Sequence, residues 1–430
     1  LRGLVLDLDK GNFIKLDKHG CILRASHGSK PMSRKEVLDC YGEKGKFHFF
    51  EQLKSHMITR HKDISNFRKF ETFFDLPGSL LAAKLVDIID AKDGKPDKYT
   101  FWQDILDGFI LNFSPSSFQA KKGNYFQSII ENPSKYIKPC PQKVINWIKS
   151  LSDEKRKVFL LTNSYIDYAS FLLEFAVGKD WRELFDIVLC KASKPGFFVP
   201  YELGKVVPSM KSVKGMDEVR ESSELQFNKI YSQGNLETLM KHLKTWSEKD
   251  DPRVLFFGDS VKSDIYPTYT LAKWDVVAVL EEMEVEGMVT TIHDEGDNED
   301  GPKRKRPKLM ELVVEEGKED VLLSSQWGSM FTDNALSSSD HSAKTKPHDD
   351  VIIRTEGHYY HEMDTFWGDL IRQCSTIAIP TIEFIAVLAV FHPSYCAIIL
   401  HLPKDYDFDT FGDSSFGGFY PGVPKSLLID

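Results

Sequence analysis

Two aspartates, a lysine and a threonine stand where apolar runs give way to polar residues, and together these types can hold a phosphate. The run Val254-Leu255-Phe256-Phe257 ends in Gly258 and Asp259, and Asp264 follows five residues later. A short, continuously apolar run reads as a parallel strand buried on both faces, and such strands present ligand-binding groups at their C-terminal ends. Two carboxylates there suit a hard cation such as Mg2+, which takes oxygen ligands and works on phosphates. The plainer reading makes Asp259 the cap of the next helix. Two further runs end in the same way: residues 158–161 lead to Thr162-Asn163-Ser164, and residues 185–189 lead to Lys194-Pro195-Gly196. A threonine in such a place is most often a cap and a lysine most often solvated. In this order, however, the hydroxyl and nearby N–H groups can hold phosphate oxygens. The lysine adds positive charge, and the aspartates anchor a cation that orients the phosphate.

The elements that position these groups follow from periodicity. Residues 142–151, 165–175 and 236–246 carry helical spacing, and residues 158–161, 185–189, 254–257 and 276–280 are apolar runs of strand length. Strand–helix repetition predicts an α/β fold with a Rossmann-like parallel sheet. Residues 3–9 read as a strand, followed by two short runs around Lys18-His19-Gly20 that predict a hairpin. Residues 33–135 are mainly helical in pattern. Leu80, Leu81, Lys84, Leu85, Ile88 and Ile89 follow the stop at Pro77-Gly78, and residues 101–112 form a second amphipathic stretch. Residues 200–230 read as polar loop.

Composition excludes several classes. The chain has 430 residues, 41% hydrophobic and 28% charged, as expected of a globular protein with more than one domain. A net charge of −9 argues against general nucleic-acid binding. The six cysteines, with no CxxC pair, favour reduced thiols in a cytosolic or nuclear setting over disulfides or a zinc site. The opening residues do not read as a signal peptide. Residues 284–320 pair an acidic cluster with the basic run Lys303 to Lys308, which reads as a charged, disordered linker. The basic run is either a nuclear import signal or a solvated charge run, the second favoured. Phe384 to Leu402 contains no Asp, Glu, Lys or Arg and is long enough to span a bilayer, but His392 and Pro393 interrupt it. A buried core segment is preferred to a membrane span.

Taken together, VFLLTNS around Thr162, ASKPGFF around Lys194 and GDSVKSDI around Asp259 resemble three successive motifs of the haloacid dehalogenase superfamily. They are similar in particular to those of the cytosolic purine 5'-nucleotidase family. Further matches are FDLPGSLLAAKLVD, YSQGN, and the stretch from Trp274 to Glu282, and the resemblance spans about residues 1–283. RASHG, WGSMF and STIAIP narrow it to one branch of that family. The resemblance implies Mg2+ as cofactor and Asp259 and Asp264 as metal ligands. It implies Thr162, Asn163 and Lys194 as phosphate-binding residues, with Thr162 and Lys194 in catalytic roles. It implies a small-molecule phosphomonoester as substrate and a cytoplasmic setting, and it leaves a homo-oligomer open. The corresponding division is a core strand and hairpin at 1–32, a helical cap at 33–138 and a phosphatase core at 139–283. The charged linker at 284–325 and a C-terminal extension at 326–430 complete the chain.

Such enzymes take their nucleophile from an Asp-x-Asp motif on the central strand. Asp7 and Asp9 offer that spacing, but RGLVLDLDKGNFIKLDKHG as a whole resembles a later family segment, and the position expected to hold Thr or Val is Gly11. The favoured expectation is that the nucleophile strand lies upstream of Leu1 and is missing from this chain, with Asp7 and Asp9 as the alternative. Leu106 and Ile110 stand where the family's cap would carry Arg and Asp, and Gln119 where it would carry Lys. Purine specificity is therefore not implied. A non-catalytic scaffold or binding protein on the same fold is the competing expectation.

Overall fold

The computed structural model describes residues 3–57, 66–71, 73–154, 156–200, 208–222, 224–285, 326–333, 351–355 and 358–386. Strand β1 (Leu4–Asp7) is apolar up to its last residue and fully buried. It turns at Gly11, where φ is +69° and an added Cβ would collide with the Tyr99 ring, so the turn requires glycine. The hairpin β2 (Asn12–Leu16) and β3 (Ile22–His27) forms as the pattern predicts, and β4 (Lys30–Pro31) closes its outer side. Ser33 caps α1 (Arg34–Tyr41) through a capping box with Glu36. α2 (Phe50–Ser55) follows, and β5 (Phe67–Phe70) runs antiparallel to β1. The resulting sheet, in the order β4-β3-β2-β1-β5, is antiparallel throughout. β5 lies inside a stretch whose pattern predicts helix.

The helical block is α3 (Leu76–Asp93), α4 (Trp102–Phe113), α5 (Pro115–Gln119), α6 (Asn124–Glu131) and α7 (Pro133–Tyr136). Ala82, Ala83 and Val86 of α3 pack with Leu4, Leu6 and Phe13 on one face of the antiparallel sheet. α5 docks on the following domain through Phe118, whose ring meets Tyr168 and Phe171 at 5.2 and 6.0 Å.

α8 (Gln142–Asp153), β6 (Phe159–Leu161), α9 (Ile166–Ala176) and β7 (Ile187–Cys190) open the α/β alternation. The polar stretch before the next buried strand is not the loop that its composition predicts. It holds a hairpin, β8 (Met210–Lys214) and β9 (Asp217–Ser222), ahead of β10 (Lys229–Gln233). β9 is almost wholly exposed, so it lacks the buried alternation by which strands are recognised in sequence. β6, β7 and β10 are parallel neighbours, with β8 and β9 added antiparallel beyond β10. α10 (Leu236–Ser247), capped by Asn235, leads to β11 (Leu255–Gly258), and β12 (Asp275–Val279) pairs parallel with it.

α11 (Glu282–Val285) ends this region. The charged linker from 286 to 325, with its basic run, lies outside the described residues. Beyond it come β13 (Thr332–Asp333), β14 (Val351–Thr355), β15 (His358–Asp364), α12 (Phe366–Cys374) and β16 (Ile377–Ile379). These described parts of the C-terminal extension are integral to the fold. β16 is the third parallel strand beside β12. Trp367 and Ile371 of α12 enter the core that also holds Val5, Ile14 and Val276. Asp333 is wholly buried against Lys15 Nζ at 2.6 Å and takes two further bonds from Arg24, at 2.8 and 3.0 Å. Lys15 Nζ also donates to the carbonyls of Trp327 and Ser329. Of the uncharged run at 384–402, residues 384–386 pack beside β16 and α8, and the rest lies outside the described residues. Among the described residues no helix is long and apolar enough to cross a membrane.

Candidate functional site

β6 and β11 are each the last strand of their ladder, and no described strand joins them. Both nevertheless feed one apolar cluster through Leu161, Val254 and Phe256, completed by Trp274. The polar groups that follow β6, β7 and β11 converge at their C-terminal ends. After β6, Thr162 is half-buried and Asn163 exposed. The Thr162 Oγ1 accepts from Ser164 N–H at 3.1 Å, so this hydroxyl shapes the turn before α9. After β7, Lys191 and Ser193 take left-handed φ angles of 49° and 58°, turning the chain sharply ahead of Lys194. Two backbone bonds, Ala192 N–H to Thr162 O and Lys191 N–H to Ser164 O, stitch this loop to the one after β6. The Asn163 amide fixes Lys194 at both ends of its peptide unit. Its Oδ1 accepts from Lys194 N–H at 2.6 Å, and its Nδ2 donates to Lys194 O at 3.1 Å.

Lys194 reaches from one ladder to the other. Its Nζ donates to Asp264 Oδ1 at 2.5 Å, with the two side chains 10% and 6% exposed, and it lies 5.5 Å from the centre of the Phe256 ring. Asp264 sits on a π-helical turn (Val261–Ile265) whose first residues are held by Ser260, the Ser260 Oγ accepting from Ser263 N–H. The other Asp264 oxygen accepts from Ser260 N–H at 3.3 Å. Gly258 makes this approach feasible, because a Cβ there would collide with the Asp264 side chain. Asp259 is exposed at the strand end.

The five sequence-predicted groups at these ends thus fall on adjoining loops. Asp264 is engaged by Lys194, and Asp259 lies exposed on the same loop. Two aspartates on one loop provide the oxygen donors that Mg2+ takes, with the rest of an octahedral shell left to water and phosphate. In donor chemistry these two carboxylates could hold such a cation.

Asp7 and Asp9 stand elsewhere. β1 ends at Asp7 with Asp9 in the turn that follows, and this strand lies in the antiparallel sheet, flanked by β2 and β5, and pairs with neither β6 nor β11. Asp7 is fully buried and accepts from Tyr41 Oη at 2.9 Å and from Asp9 N–H at 3.0 Å. Burial pushes its carboxyl above the usual range, partly offset by the Tyr41 bond and by His48.

The cap positions are also placed. Leu106 and Ile110 lie on the outer face of α4, 38% and 55% exposed. Gln119 Nε2 donates to Asp167 Oδ2 at 2.9 Å, at the start of α9. Glu71, which nothing in the sequence singles out, accepts from Lys262 N–H at 2.9 Å and so ties the end of β5 to the turn that carries Asp264. Its neighbour Lys69 is buried, which lowers its ammonium to about 8 against the pull of Glu71.

Residues 1–379 match the 5' nucleotidase family, well past the 283 residues over which the motifs alone carry the resemblance. A Bos taurus 5'-nucleotidase domain-containing protein 1 is 33% identical over 434 residues, covering 99% of this chain and 84% of its own length. The Homo sapiens protein of the same name is 33% identical over 442 residues, covering 100% of this chain and 85% of its own length. A Homo sapiens 5'-nucleotidase domain-containing protein 2 is 29% identical over 289 residues, covering 66% of this chain and 52% of its own length.

Proposed function

The chain belongs to the 5' nucleotidase family, and from that premise we propose that its site serves Mg2+-dependent hydrolysis of a phosphomonoester of the nucleoside monophosphate class. The observation that carries the reading is the Lys194–Asp264 pair, which joins the ends of two parallel ladders beside Thr162 and Asn163. In this reading the core is haloacid dehalogenase-like. Asp259 and Asp264 hold the cation, which supplies charge neutralisation at the phosphate. Thr162 Oγ1 and the N–H groups of the turn before α9 receive phosphate oxygens. Lys194 holds positive charge between the phosphate and the acidic loop, kept in place by Asn163.

The chemistry requires a carboxylate nucleophile. Its oxygen forms a bond to phosphorus while the ester oxygen leaves and takes up a proton. Water then cleaves the acyl phosphate, releasing phosphate and restoring the carboxylate. Among the described residues no strand lies between β6 and β11 to carry that group. The reading assigns it to a further parallel strand paired with both, since a strand there would satisfy both free edges.

The test is hydrolysis of a panel of phosphomonoesters with Mg2+. Residues 1–430 alone should show no turnover, and a chain extended upstream of Leu1 should turn over at least one substrate and lose that activity with Asp259→Asn. No turnover by the extended chain on any substrate would favour a scaffold on the same fold, a reading in keeping with the apolar Leu106 and Ile110 on the cap. Turnover by residues 1–430 that Asp7→Asn abolishes would move the nucleophile to β1.

A further inference from the structure

A second group of chemically competent side chains lies on the antiparallel sheet, apart from the Lys194–Asp264 site. β1 ends at Asp7, the chain turns through Asp9, and His48 approaches from the segment between α1 and α2. One donor atom from each of the three, two carboxylate oxygens and an imidazole nitrogen, lies within 4.8 Å of the others. We propose that Asp7, Asp9 and His48 form a divalent-metal site that takes an ion of the zinc or manganese class.

Three features support the assignment. The first is donor chemistry. A nitrogen beside two carboxylates suits a borderline transition ion better than Mg2+ or Ca2+, which prefer oxygen alone. The second is the state of Asp7. It is wholly buried, and among the described residues no lysine or arginine forms an ion pair with it. A buried carboxylate without a cationic partner is costly, and metal coordination is one of the ways proteins offset that cost. The third is the shell around the ligands. Tyr41 Oη donates to Asp7 Oδ2, the Asn66 amide donates to both Asp9 oxygens at 3.2 and 2.9 Å, and the His48 ring stacks on Tyr41 and meets Phe49 at a tilt. Groups of this kind fix the direction of metal ligands.

The geometry needs only a modest closure. Ligands about 2.1 Å from a tetrahedral ion stand about 3.4 Å from one another. His48 is exposed and Asp9 half-buried at a turn, so both can close on Asp7, which is fixed. Lys98 Nζ, 3.5 Å from Asp9 Oδ1 and 39% exposed, would withdraw to solvent as the ion enters. Three protein ligands leave at least one position for water or an incoming anion.

The test is titration of chelator-treated protein with Zn2+ and with Mn2+ by calorimetry and by competition with a chromophoric chelator. Neither readout needs catalytic turnover. His48→Ala and Asp9→Asn, both at accessible positions, should each weaken one binding event by at least about tenfold, and Tyr41→Phe by about 10–100-fold. Asp259→Asn with Asp264→Asn should leave that event in place. Wild-type protein that binds neither ion, or binding that survives His48→Ala and Asp9→Asn unchanged, would overturn the assignment. So would an event lost only with the Asp259 and Asp264 changes.

Discussion

Replacement of Asp333 by alanine tests how the C-terminal extension is fastened to the N-terminal sheet. The carboxylate is wholly buried between Lys15, whose side chain is 4% exposed, and Arg24, which is 24% exposed. Its loss takes from the buried Lys15 ammonium the carboxylate at 2.6 Å, although the carbonyls of Trp327 and Ser329 still accept its protons. Removing one partner of a buried pair costs about 3–5 kcal/mol. The two carbonyls place Asp333→Ala toward the lower end, about 3 kcal/mol. The reverse change, Lys15→Met, leaves Asp333 with both of its Arg24 bonds and fills the space with an apolar chain. It removes the three bonds from Lys15 Nζ but strands no charge, and should cost less, about 1.5–2 kcal/mol, the lower part of the range for hydrogen bonds to charged groups. The double variant should then cost less than the two single changes added together. Urea unfolding followed through tryptophan fluorescence reads this directly, since Trp327 and Trp367 are both buried nearby. A cost below about 1 kcal/mol for Asp333→Ala, or full additivity of the pair, would refute the claim that this triad holds the extension in place.

Two further outcomes follow from the same structure. Gly258→Ala places a methyl group against the Asp264 side chain, and overpacking of this kind costs about 1–3 kcal/mol. The change should also weaken the Lys194–Asp264 pair, seen as lower protection of the Asp264 loop in hydrogen exchange. Glu218 gives an acid-side signature. Burial alone would raise its carboxyl, but bonds from Ser232, Gln233 and Lys191 outweigh burial and hold it at about 2, against 4.5 for the free group. Its contribution to stability is therefore complete above about pH 4.5 and lost as pH falls toward about 2. Glu218→Gln should flatten the stability profile in that window in denaturation curves at pH 5 and pH 3, and an unchanged slope would count against it.

The sequence reveals much of the parallel core because its strands are short apolar runs closed by turn residues. Phe159–Leu161 and Leu255–Gly258 are legible in this way. The convergence of Thr162, Lys194 and Asp259 on adjoining loops is legible for the same reason, since they follow the ends of such runs. What escapes notice is exposed or distant. β9 reads as loop because nearly every side chain in it faces water. β5 sits within a stretch of helical pattern and forms because β1 offers an edge to it. The placing of Asp333 under Lys15, and of Glu71 beneath the Asp264 loop, depends on pairings across more than 180 residues, which no local pattern encodes.

The parallel pairing of β16 with β12 has a consequence for synthesis. β12 ends at Val279 and β16 begins at Ile377, so 97 residues separate an edge from the strand that covers it. At about 5–20 residues per second, a ribosome delivers the covering strand roughly 5–20 s after β12 emerges. During that interval an apolar strand waits with one side unpaired, the condition under which strand edges recruit other chains. The nascent molecule therefore has a window of vulnerability that closes only when Ile377 to Ile379 arrive, and chaperone dependence would be set by this interval rather than by the chain's overall length.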